Sequence, residues 1–427
     1  MIFLYNFAFS LFCLFYLPTF FLKKKSHDHL WERFGSIPSP KREGRLLRLR
    51  EGKRLFWLHT VSLGESLAAV ALVEEIRKQF PNIQFSFSTT TRTGRVVLEK
   101  LRKEDEVLFY FPLDLSWVVR RVVQKLDPDI FATLETEIWP NLILALKEKN
   151  IPILLLNGRI SKKSFRRYRW VRWAIRDALK EIELFCMQYP EDGERILKLG
   201  GRPEKIHIVG NMKFDLSLSP EGVSSHEVRR RLGLEAEETL WVAGSTHPGE
   251  ERSLLEIYQV LSRNHPNLRL LIAPRHPERT KEVVKLIGTF HRPATLFSEN
   301  GSRKEDAVFV LDTVGQLRSL YAASDLVFIG GSLVPKGGQN LLEPAFFAKP
   351  ILFGPHMDNF QDIVQLFLEG KAAVQVRSQE ELASAARLLL KDASLRRSLG
   401  EKAKQIVLAH RGVVDRHLEL LKAFLAR

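Results

Sequence analysis

The sequence predicts an α/β protein with two doubly wound, Rossmann-like domains that follow an N-terminal membrane-anchor helix. Three observations support this fold: an uncharged apolar N-terminus, two runs of apolar strands alternating with amphipathic helices, and polar or glycine-rich turns at the strand ends. The length of 427 residues suits two or three domains, and 45% hydrophobic residues can fill their cores.

The balance of charge favours anionic partners. Lys and Arg total 65 against 50 Asp and Glu, a formal net charge of +15, which suits a phosphorylated substrate, an anionic lipid or nucleic acid. The two cysteines, Cys13 and Cys186, lie far apart, so the sequence offers neither a disulfide framework nor a Cys-based zinc site. We therefore expect the soluble part to occupy a reducing compartment.

The N-terminus predicts membrane attachment. Residues Met1 to Leu22 contain no charged side chain and seven phenylalanines, and Lys23 to Lys25 follow directly. As a helix, residues 1–22 would be roughly 33 Å long, enough to span a bilayer core, and the lysines would keep the rest of the chain in the cytoplasm. Pro18 and Asn6 leave open a helix that lies in the membrane interface. The basic residues 23–54 are predicted to be a linker held against an anionic membrane surface.

The first domain, residues 55–215, is predicted from apolar strands separated by amphipathic helices such as Glu65–Phe80, Gly94–Lys103 and Ser116–Leu126. This alternation indicates a parallel sheet with helices on both faces. The predicted strands are Leu55–His59, Ile83–Ser88, Val107–Phe111, Ile130–Leu134, Ile151–Leu156, Leu184–Gln188 and Ile206–Val209.

A polar stretch with Pro220 and Gly222 predicts an interdomain linker at residues 216–239. The second domain, residues 240–427, repeats the alternation and ends in helices from Gln379 onward. Two such domains form a cleft, and ligands of doubly wound sheets lie beyond the carboxyl ends of the strands. The predicted strands are Leu240–Ala243, Leu268–Ala273, Val308–Leu311, Leu326–Ile329 and Ile351–Phe353.

Three polar turns follow strands of the first domain. The sequence V-S-L-G-E follows the first strand and ends at Glu65, which is either a general base facing the cleft or a carboxylate that complements a helix dipole. The turn Ser88 to Gly94 follows the second strand and offers hydroxyls and a guanidinium, although capping needs only one hydroxyl. The sequence E-T-E-I-W-P-N, residues 135–141, follows the fourth strand, and its carboxylates suit either chemistry or the organisation of the loop.

The segment Gly158 to Trp173 combines seven basic residues and four aromatic residues without any acid. A solvated helix face would be expected to include Asp or Glu, whereas Trp and Tyr among basic residues suit the headgroup level of a membrane. Nucleic acid fits the same composition. Because the predicted anchor already brings the domain to a bilayer, we predict lipid contact and no nucleic acid. The basic residues are Arg159, Lys162, Lys163, Arg166, Arg167, Arg169 and Arg172.

The stretch Gly330 to Pro355, G-G-S-L-V-P-K-G-G-Q-N-L-L-E-P-A-F-F-A-K-P-I-L-F-G-P, has the βαβ layout of a nucleotide site. Glycines allow the backbone to approach a ligand, a helix predicted to open at Asn340 favours a phosphate, and Glu343 can accept from both hydroxyls of a ribose. A tight turn would explain one Gly-Gly pair, but two pairs followed by N-x-x-E-P favour a site.

Two further strand ends of the second domain suit anion binding. The sequence A-P-R-H-P-E-R holds Arg275 between proline-stiffened neighbours, where a guanidinium can grip two phosphate oxygens. The sequence D-T-V-G-Q-L, from Asp312, offers N–H groups at a helix start. His247 and His276 lack a third ligand at metal spacing, so no metal is predicted. The absence of a G-x-x-x-x-G-K-[ST] or tight G-x-G-x-x-G loop argues against ATPase and dehydrogenase functions.

Taken in order, these motifs resemble the 3-deoxy-D-manno-octulosonic acid (Kdo) transferases of Gram-negative lipopolysaccharide synthesis. The resemblance runs from the N-terminal anchor to about residue 420. Eight motifs recur in the same order: V-S-x-G-E, T-T-T-R-T-G, E-T-E-x-W-P-N, N-x-R, G-N-x-K-F-D, G-S-T-H, A-P-R-H-P-E-R and G-G-x-N-x-L-E-P.

The resemblance implies a B-type glycosyltransferase fold with an acceptor-binding first domain and a CMP-sugar-binding second domain. It implies inverting transfer of Kdo from CMP-Kdo to the lipid A precursor, lipid IV(A), at the cytoplasmic face of the inner membrane, with no cofactor. Glu65 would be the proton acceptor. Gln316 and Gln339 depart from the pattern, since many relatives carry Glu and His there. The implied CMP-binding positions are Pro274, Arg275, Val314, Gly315, Gln316, Asn340, Leu341, Leu342 and Glu343.

Two other functions fit part of the sequence. A B-type glycosyltransferase that uses a UDP-sugar and a lipid acceptor would share the fold and the ribose-binding Glu, and would differ in whether CMP or UDP binds. A non-catalytic, membrane-tethered anion-binding protein would use the basic segment alone, and it would need neither Glu65 nor Glu343.

Overall fold

The computed structural model describes residues 5, 6, 9, 11, 30–38, 52–216, 224–299 and 304–426. The chain divides into two compact units: Met1–Leu216 together with Gly412–Arg427, and Ser217–Arg411. Most of the predicted anchor, residues 1–22, lies outside the described residues. Among the residues that are described, no helix is both long enough and apolar enough to cross a membrane.

The first unit is built on a seven-stranded parallel sheet that contains every strand predicted for it. The strands are β1 Arg54–Thr60, β2 Ile83–Thr89, β3 Val107–Tyr110, β4 Ile130–Leu134, β5 Ile153–Gly158, β6 Leu184–Met187 and β7 Ile206–Ile208. Their order is β3-β2-β1-β4-β5-β6-β7, so the winding reverses between β1 and β4. Trp57 packs into one apolar cluster and Phe56 and Leu58 into a second, because successive side chains point to opposite faces of the sheet.

Helices of the first unit begin at polar side chains. Ser62, Thr91 and Ser161 each accept a backbone N–H hydrogen bond in the first turn of a helix, which satisfies a donor that the helix itself leaves open. The helices are α1 Leu30–Arg33, α2 Leu63–Gln79, α3 Arg92–Leu101, α4 Ser116–Leu126, α5 Pro140–Glu148, α6 Lys162–Trp170, α7 Arg172–Lys180, α8 Pro190–Leu199 and α9 Lys213–Leu216.

The second unit has a second seven-stranded parallel sheet. Its strands are β8 Thr239–Thr246, β9 Leu268–Pro274, β10 Ala294–Leu296, β11 Val308–Val310, β12 Leu326–Ile329, β13 Ile351–Phe353 and β14 Val374–Gln375. The order is β10-β11-β9-β8-β12-β13-β14, so the winding reverses between β8 and β12. The two edge strands, β10 (A-T-L) and β14 (V-Q), were not predicted, and neither is a continuous apolar run like those of β11 (V-F-V) and β13 (I-L-F).

One helix of the second unit begins two residues later than its sequence suggested. The helix predicted to open at Asn340 begins at Leu342 and has five residues. The helices are α10 Ser225–Arg231, α11 Glu250–Asn264, α12 Thr280–Gly288, α13 Leu317–Ala323, α14 Leu342–Phe346, α15 Gln361–Glu369, α16 Gln379–Lys391 and α17 Ala393–Ala409.

The last helix, α18 (Val413–Leu425), belongs to the first unit, which corrects the prediction that residues 240–427 form one domain. Apolar side chains of α18, including that of Val413, are buried in the apolar core of the first unit. The Asp215 carboxylate accepts the N–H groups of Gly412 (2.9 Å) and Val414 (2.7 Å) at the start of the helix. These contacts join the end of the chain to the G-N-x-K-F-D motif.

Both predicted linkers contain folded structure, so their boundaries are corrected. The helix α1 lies within the first linker, residues 23–54, and the second unit begins near the start of the second linker, residues 216–239. Charged side chains of these segments form ion pairs with other parts of the same unit. Those pairs are Glu32–Arg95 (2.8 Å) in the first unit and Asp325–Arg229 (3.2 Å) in the second.

Candidate active site

Glu65 lies in the first turn of α2, directly after β1. Its carboxylate accepts the N–H groups of Val61 (2.6 Å, Oε2) and Ser62 (3.2 Å, Oε1), and the Ser62 hydroxyl accepts the N–H of Glu65 at 3.4 Å. This reciprocal arrangement is a capping box, so the structural role considered for Glu65 is real. The capping box uses only part of the hydrogen-bonding capacity of the carboxylate, which can accept about four hydrogen bonds.

Burial places the titration of Glu65 near neutrality. The residue is 6% exposed. Burial, with the nearby charges of Glu135 and Glu137, raises the pKa of the Glu65 carboxyl to about 7, against the opposing effect of the hydrogen bonds from Val61 and Ser62. The turns that carry these carboxylates follow β1 and β4, the neighbouring strands at the reversal of the winding. A carboxylate with this pKa suits a general base.

The E-T-E turn after β4 is held from two directions. The Thr136 hydroxyl donates to the carbonyl of Arg159 at 2.6 Å, just beyond β5, and the Tyr168 hydroxyl of α6 donates to the carbonyl of Thr136 at 3.3 Å. Burial, with the charge of Glu135, also raises the pKa of Glu137 to about 7. The carboxyls of Glu65 and Glu137, in turns that follow neighbouring strands, therefore both have pKa values near 7.

Helix α6 presents the basic segment to solvent. Phe165 and Tyr168 pack against the core of the first unit, whereas Trp170 is 85% exposed. Within the described part of the chain, no acidic residue forms an ion pair with the cations of α6. Arg159 is half-buried, and Arg172 donates its Nε to the carbonyl of Leu199 at 3.4 Å. The exposed cations of α6 are Lys162, Lys163, Arg166, Arg167 and Arg169.

Other motifs of the first unit hold the turns in place. Thr91 accepts the N–H of Gly94 at 3.2 Å and donates its hydroxyl to the carbonyl of Val61 at 2.9 Å. Asn157, in the N-x-R motif, accepts the N–H of Met212 through Oδ1 at 3.0 Å. These side chains therefore support the turn that carries Glu65 and the G-N-x-K-F-D segment.

In the second unit, sequence reasoning missed Glu250, the residue that organises the glycine-rich turn. Glu250 is 1% exposed at the start of α11. The sequence contained a usable signal, because Gly249-Glu250 after β8 repeats the pair Gly64-Glu65 after β1. The Glu250 carboxylate accepts four backbone N–H groups, from His247 (2.9 Å), Gly331 (2.7 Å), Ser332 (3.0 Å) and Leu333 (3.0 Å).

Close packing explains the glycines at this point of the second sheet. A Cβ atom on Gly330 would collide with the carbonyl of Ser245, and one on Gly244 would collide with the hydroxyl of Tyr321. Gly331 has a φ of +67°, which favours glycine. The turns after β8 and β12 thus meet at the reversal of the winding, the place where doubly wound sheets bind nucleotides.

Glu343 and Asn340 form the polar end of this turn. The Asn340 side chain accepts the N–H of Leu342 at 3.0 Å and donates to Glu343 Oε1 at 3.2 Å. Burial raises the pKa of Glu343, while the bond from Asn340 and the charge of Arg318 lower it. The side chains of Leu341 and Leu342 are fully buried, so these two predicted positions can offer a ligand only backbone groups.

The remaining predicted positions lie at the ends of β9 and β11. Pro274 is the buried last residue of β9, and Arg275 follows it as an exposed side chain. Val314 is 83% exposed, Gly315 has a φ of +87°, and Gln316 precedes the seven-residue helix α13. These positions therefore offer a guanidinium and an exposed backbone.

Arg279, His247 and His276 also lie in the turns that follow β8 and β9. Arg279 pairs with the buried Glu251 at 2.7 Å, so it supports the fold. The rings of His247 and His276 are 6.1 Å apart. Among the described residues, no group of three His, Cys, Asp or Glu side chains is placed to hold a metal ion.

The two seven-stranded parallel sheets, each with polar turns at its reversal, have the architecture of the B-type glycosyltransferase fold. A family model described as 3-deoxy-D-manno-octulosonic-acid transferase (kdotransferase) matches residues 28–216. The chain is 34% identical over 373 residues to the 3-deoxy-D-manno-octulosonic acid transferase of Haemophilus influenzae, covering 87% of each protein. It is 29% identical over 374 residues to that of Chlamydia pneumoniae, covering 87% of this chain and 85% of the relative.

A comparison with a solved structure supports the assignment of the fold only. The crystal structure of Anabaena Alr3699/HepE in complex with UDP matches with a TM-score of 0.56 and 16% identity, covering 88% of this chain and all of the other. From the sequence relatives, the chain belongs to the 3-deoxy-D-manno-octulosonic acid (Kdo) transferase family, as the eight motifs predicted. It is therefore an enzyme, a glycosyltransferase.

Proposed function

We propose that the protein transfers Kdo from CMP-Kdo to the lipid A precursor, lipid IV(A), in lipopolysaccharide synthesis. The observation that carries this proposal is the buried Glu65 carboxylate, with a pKa of about 7, at the sheet reversal of a Kdo transferase family member. Transfer to a hydroxyl requires a base near its working pH, and this carboxylate meets that requirement.

In the proposed reaction, Glu65 removes the proton from a sugar hydroxyl of the acceptor. The acceptor oxygen forms a bond to the anomeric carbon of Kdo while the bond from that carbon to the phosphate oxygen of CMP breaks. The electron pair of the broken bond stays with the phosphate, CMP leaves, and the configuration at the anomeric carbon inverts. The exposed guanidinium of Arg275 can grip the phosphate oxygens and offset their charge.

The membrane supplies the acceptor in this proposal. Residues 1–22 attach the chain to the cytoplasmic face of the inner membrane, and the cations of α6 attract the anionic headgroups and the phosphates of the acceptor. The exposed Trp170 suits the same surface. Tyr168 joins this helix to the E-T-E turn, so a lipid bound at α6 would lie beside the carboxylates of that turn.

Replacing Glu65 by Gln is expected to lower kcat by roughly 10²–10⁴ while CMP-Kdo binding is retained, because Gln keeps the shape and cannot take the proton. Glu137→Gln is the matched control, since burial raises the pKa of both carboxyls to about 7. Turnover is measured with CMP-Kdo and a tetraacylated lipid A precursor, and products are identified by mass spectrometry. A near-normal rate for Glu65→Gln, or a larger loss for Glu137→Gln, would contradict the assignment.

The rate is expected to rise with pH through about 7. Burial raises the pKa of Glu65, so below that value the carboxyl holds a proton and cannot act as a base, whereas above it the carboxylate is available. The parameter kcat/KM should therefore fall about tenfold for each pH unit on the acid side. A profile that stays flat from about pH 5 to pH 8 would exclude Glu65 as the base.

Truncation of Arg275 or Glu343 to Ala is expected to weaken CMP binding by about 1–3 kcal/mol, because each variant removes a charged side chain that is proposed to bind the nucleotide. Arg252→Ala removes the same positive charge as Arg275→Ala from an exposed position of α11 and serves as the control for that variant. Calorimetry with CMP and with UDP measures the effect. Unchanged CMP affinity in both variants would place the nucleotide elsewhere, and tighter binding of UDP than of CMP would favour the UDP-sugar alternative.

Charge reversal to Glu at Arg166, Arg167 and Arg169 is expected to weaken binding to anionic vesicles at least about 10²-fold at low salt, since each basic residue near a membrane contributes about 1 kcal/mol. Transfer to lipid A should suffer more than CMP-Kdo binding. Reversal at the exposed Lys100, Lys103 and Lys149 changes the net charge of the same unit equally and is the control. Equal losses in the two triple variants, measured by vesicle sedimentation, would show that α6 is an ordinary solvated face.

A further inference from the structure

The first residues of the chain contact the folded part of the first unit. The Tyr5 hydroxyl donates to Asp114 Oδ2 at 2.8 Å. The side-chain carbonyl of Asn6 accepts from Asn141 Nδ2 at 2.6 Å. Tyr5 and Asn6 are both half-buried. These two side chains fix the position of the start of the chain relative to helix α5.

The Asp114 carboxylate requires hydrogen-bond donors because its side chain is fully buried. Its carboxylate accepts the N–H groups of Asn141 (3.1 Å) and Leu142 (2.9 Å), so it caps α5 from a distant part of the chain. Burial raises the pKa of Asp114 to about 7, and the hydrogen bond from Tyr5 opposes this shift. The Tyr5 hydroxyl therefore stabilises the charged form of a carboxylate that holds the first turn of α5.

These contacts conflict with a helix that crosses the bilayer. If residues 1–22 formed a spanning helix, Tyr5 and Leu22 would lie roughly 25 Å apart along its axis, near opposite faces of the membrane. The unit that contains Asp114 follows Lys23 and would lie on the face of Leu22. Tyr5 would then be out of reach of Asp114.

We infer that Tyr5 and Asn6 lie in the membrane interface against the first unit, so that the start of the chain is on the same side of the bilayer as that unit. This arrangement selects the interfacial alternative that Asn6 and Pro18 left open and replaces the spanning anchor. Helix α5 directly follows the E-T-E-I-W-P-N turn, so Tyr5 is also a positioning residue for the turn that carries Glu137. The inference rests on the proposed membrane attachment and is independent of the proposed reaction.

Sided labelling of the full-length chain tests this arrangement in sealed membrane vesicles. One variant carries a cysteine ahead of Met1 on a short Gly-Ser extension, together with Cys13→Ser; a second has Glu104→Cys at an exposed site of the first unit, also with Cys13→Ser. Cys186 is buried and should stay unlabelled. A membrane-impermeant maleimide should label both introduced cysteines from the same face.

Labelling of the N-terminal cysteine only after detergent opens the vesicles, while Glu104→Cys is labelled at once, would overturn the inference. A chain that washes off the vesicles at high salt would contradict the membrane attachment itself. Neither result would bear on Kdo transfer, which the Glu65→Gln assay tests separately.

A double-mutant cycle in detergent tests the contact between Tyr5 and Asp114. Tyr5→Phe should lower the Tm by about 2–4 °C, and the same change should have little effect in an Asp114→Asn background. It should also raise KM for the lipid acceptor and leave KM for CMP-Kdo unchanged. Tyr16→Phe is the control, because it removes the same hydroxyl from the same apolar segment eleven positions further along the sequence. Equal Tm effects of Tyr5→Phe in both backgrounds would show that the two residues do not interact.

Discussion

The backbone N–H groups at the turns after β1 and β8 are the constraint on which both units depend. A strand that runs directly into a helix leaves several N–H donors without acceptors, and burial makes each unsatisfied donor costly. In the first unit, the Glu65 carboxylate accepts such N–H groups at the start of α2. In the second unit, the Glu250 carboxylate accepts those of the glycine-rich turn. The two positions where ligands of such sheets bind are therefore shaped by buried carboxylates.

In the first unit, buried polar groups are likewise satisfied between the site and the surfaces that we propose contact lipid. Thr136 connects the E-T-E turn to β5, Tyr168 connects it to the basic helix α6, and Asp114 caps the helix that follows it. Each bond satisfies a polar group that the fold would otherwise leave open. The turn near Glu65 is consequently joined to both surfaces that we propose meet lipid, the cations of α6 and the N-terminal segment.

The sequence predicted the parts of this molecule that have local signatures. Apolar strands with a polar turn at each end are visible within a few residues, so the strand alternation and the position of Glu65 could be identified directly. Contacts between distant residues have no such signature. Asp114 meets Tyr5 across 109 positions, and α18 returns to the first unit after all of the second, so neither could be predicted from periodicity. Edge strands as short as β14 are set by their neighbour in the sheet.

The two capping glutamates also show why similar positions suit different roles. Glu250 accepts four N–H groups, which uses about the full capacity of a carboxylate, so protonating or moving it would release the glycine-rich turn. Glu65 accepts only the N–H groups of Val61 and Ser62 among the described residues, so its oxygens retain lone pairs for a substrate proton. Burial raises the pKa of both carboxyls. The number of hydrogen bonds already formed, more than the shift in pKa, distinguishes the carboxylate that can act as a base from the one that holds the fold.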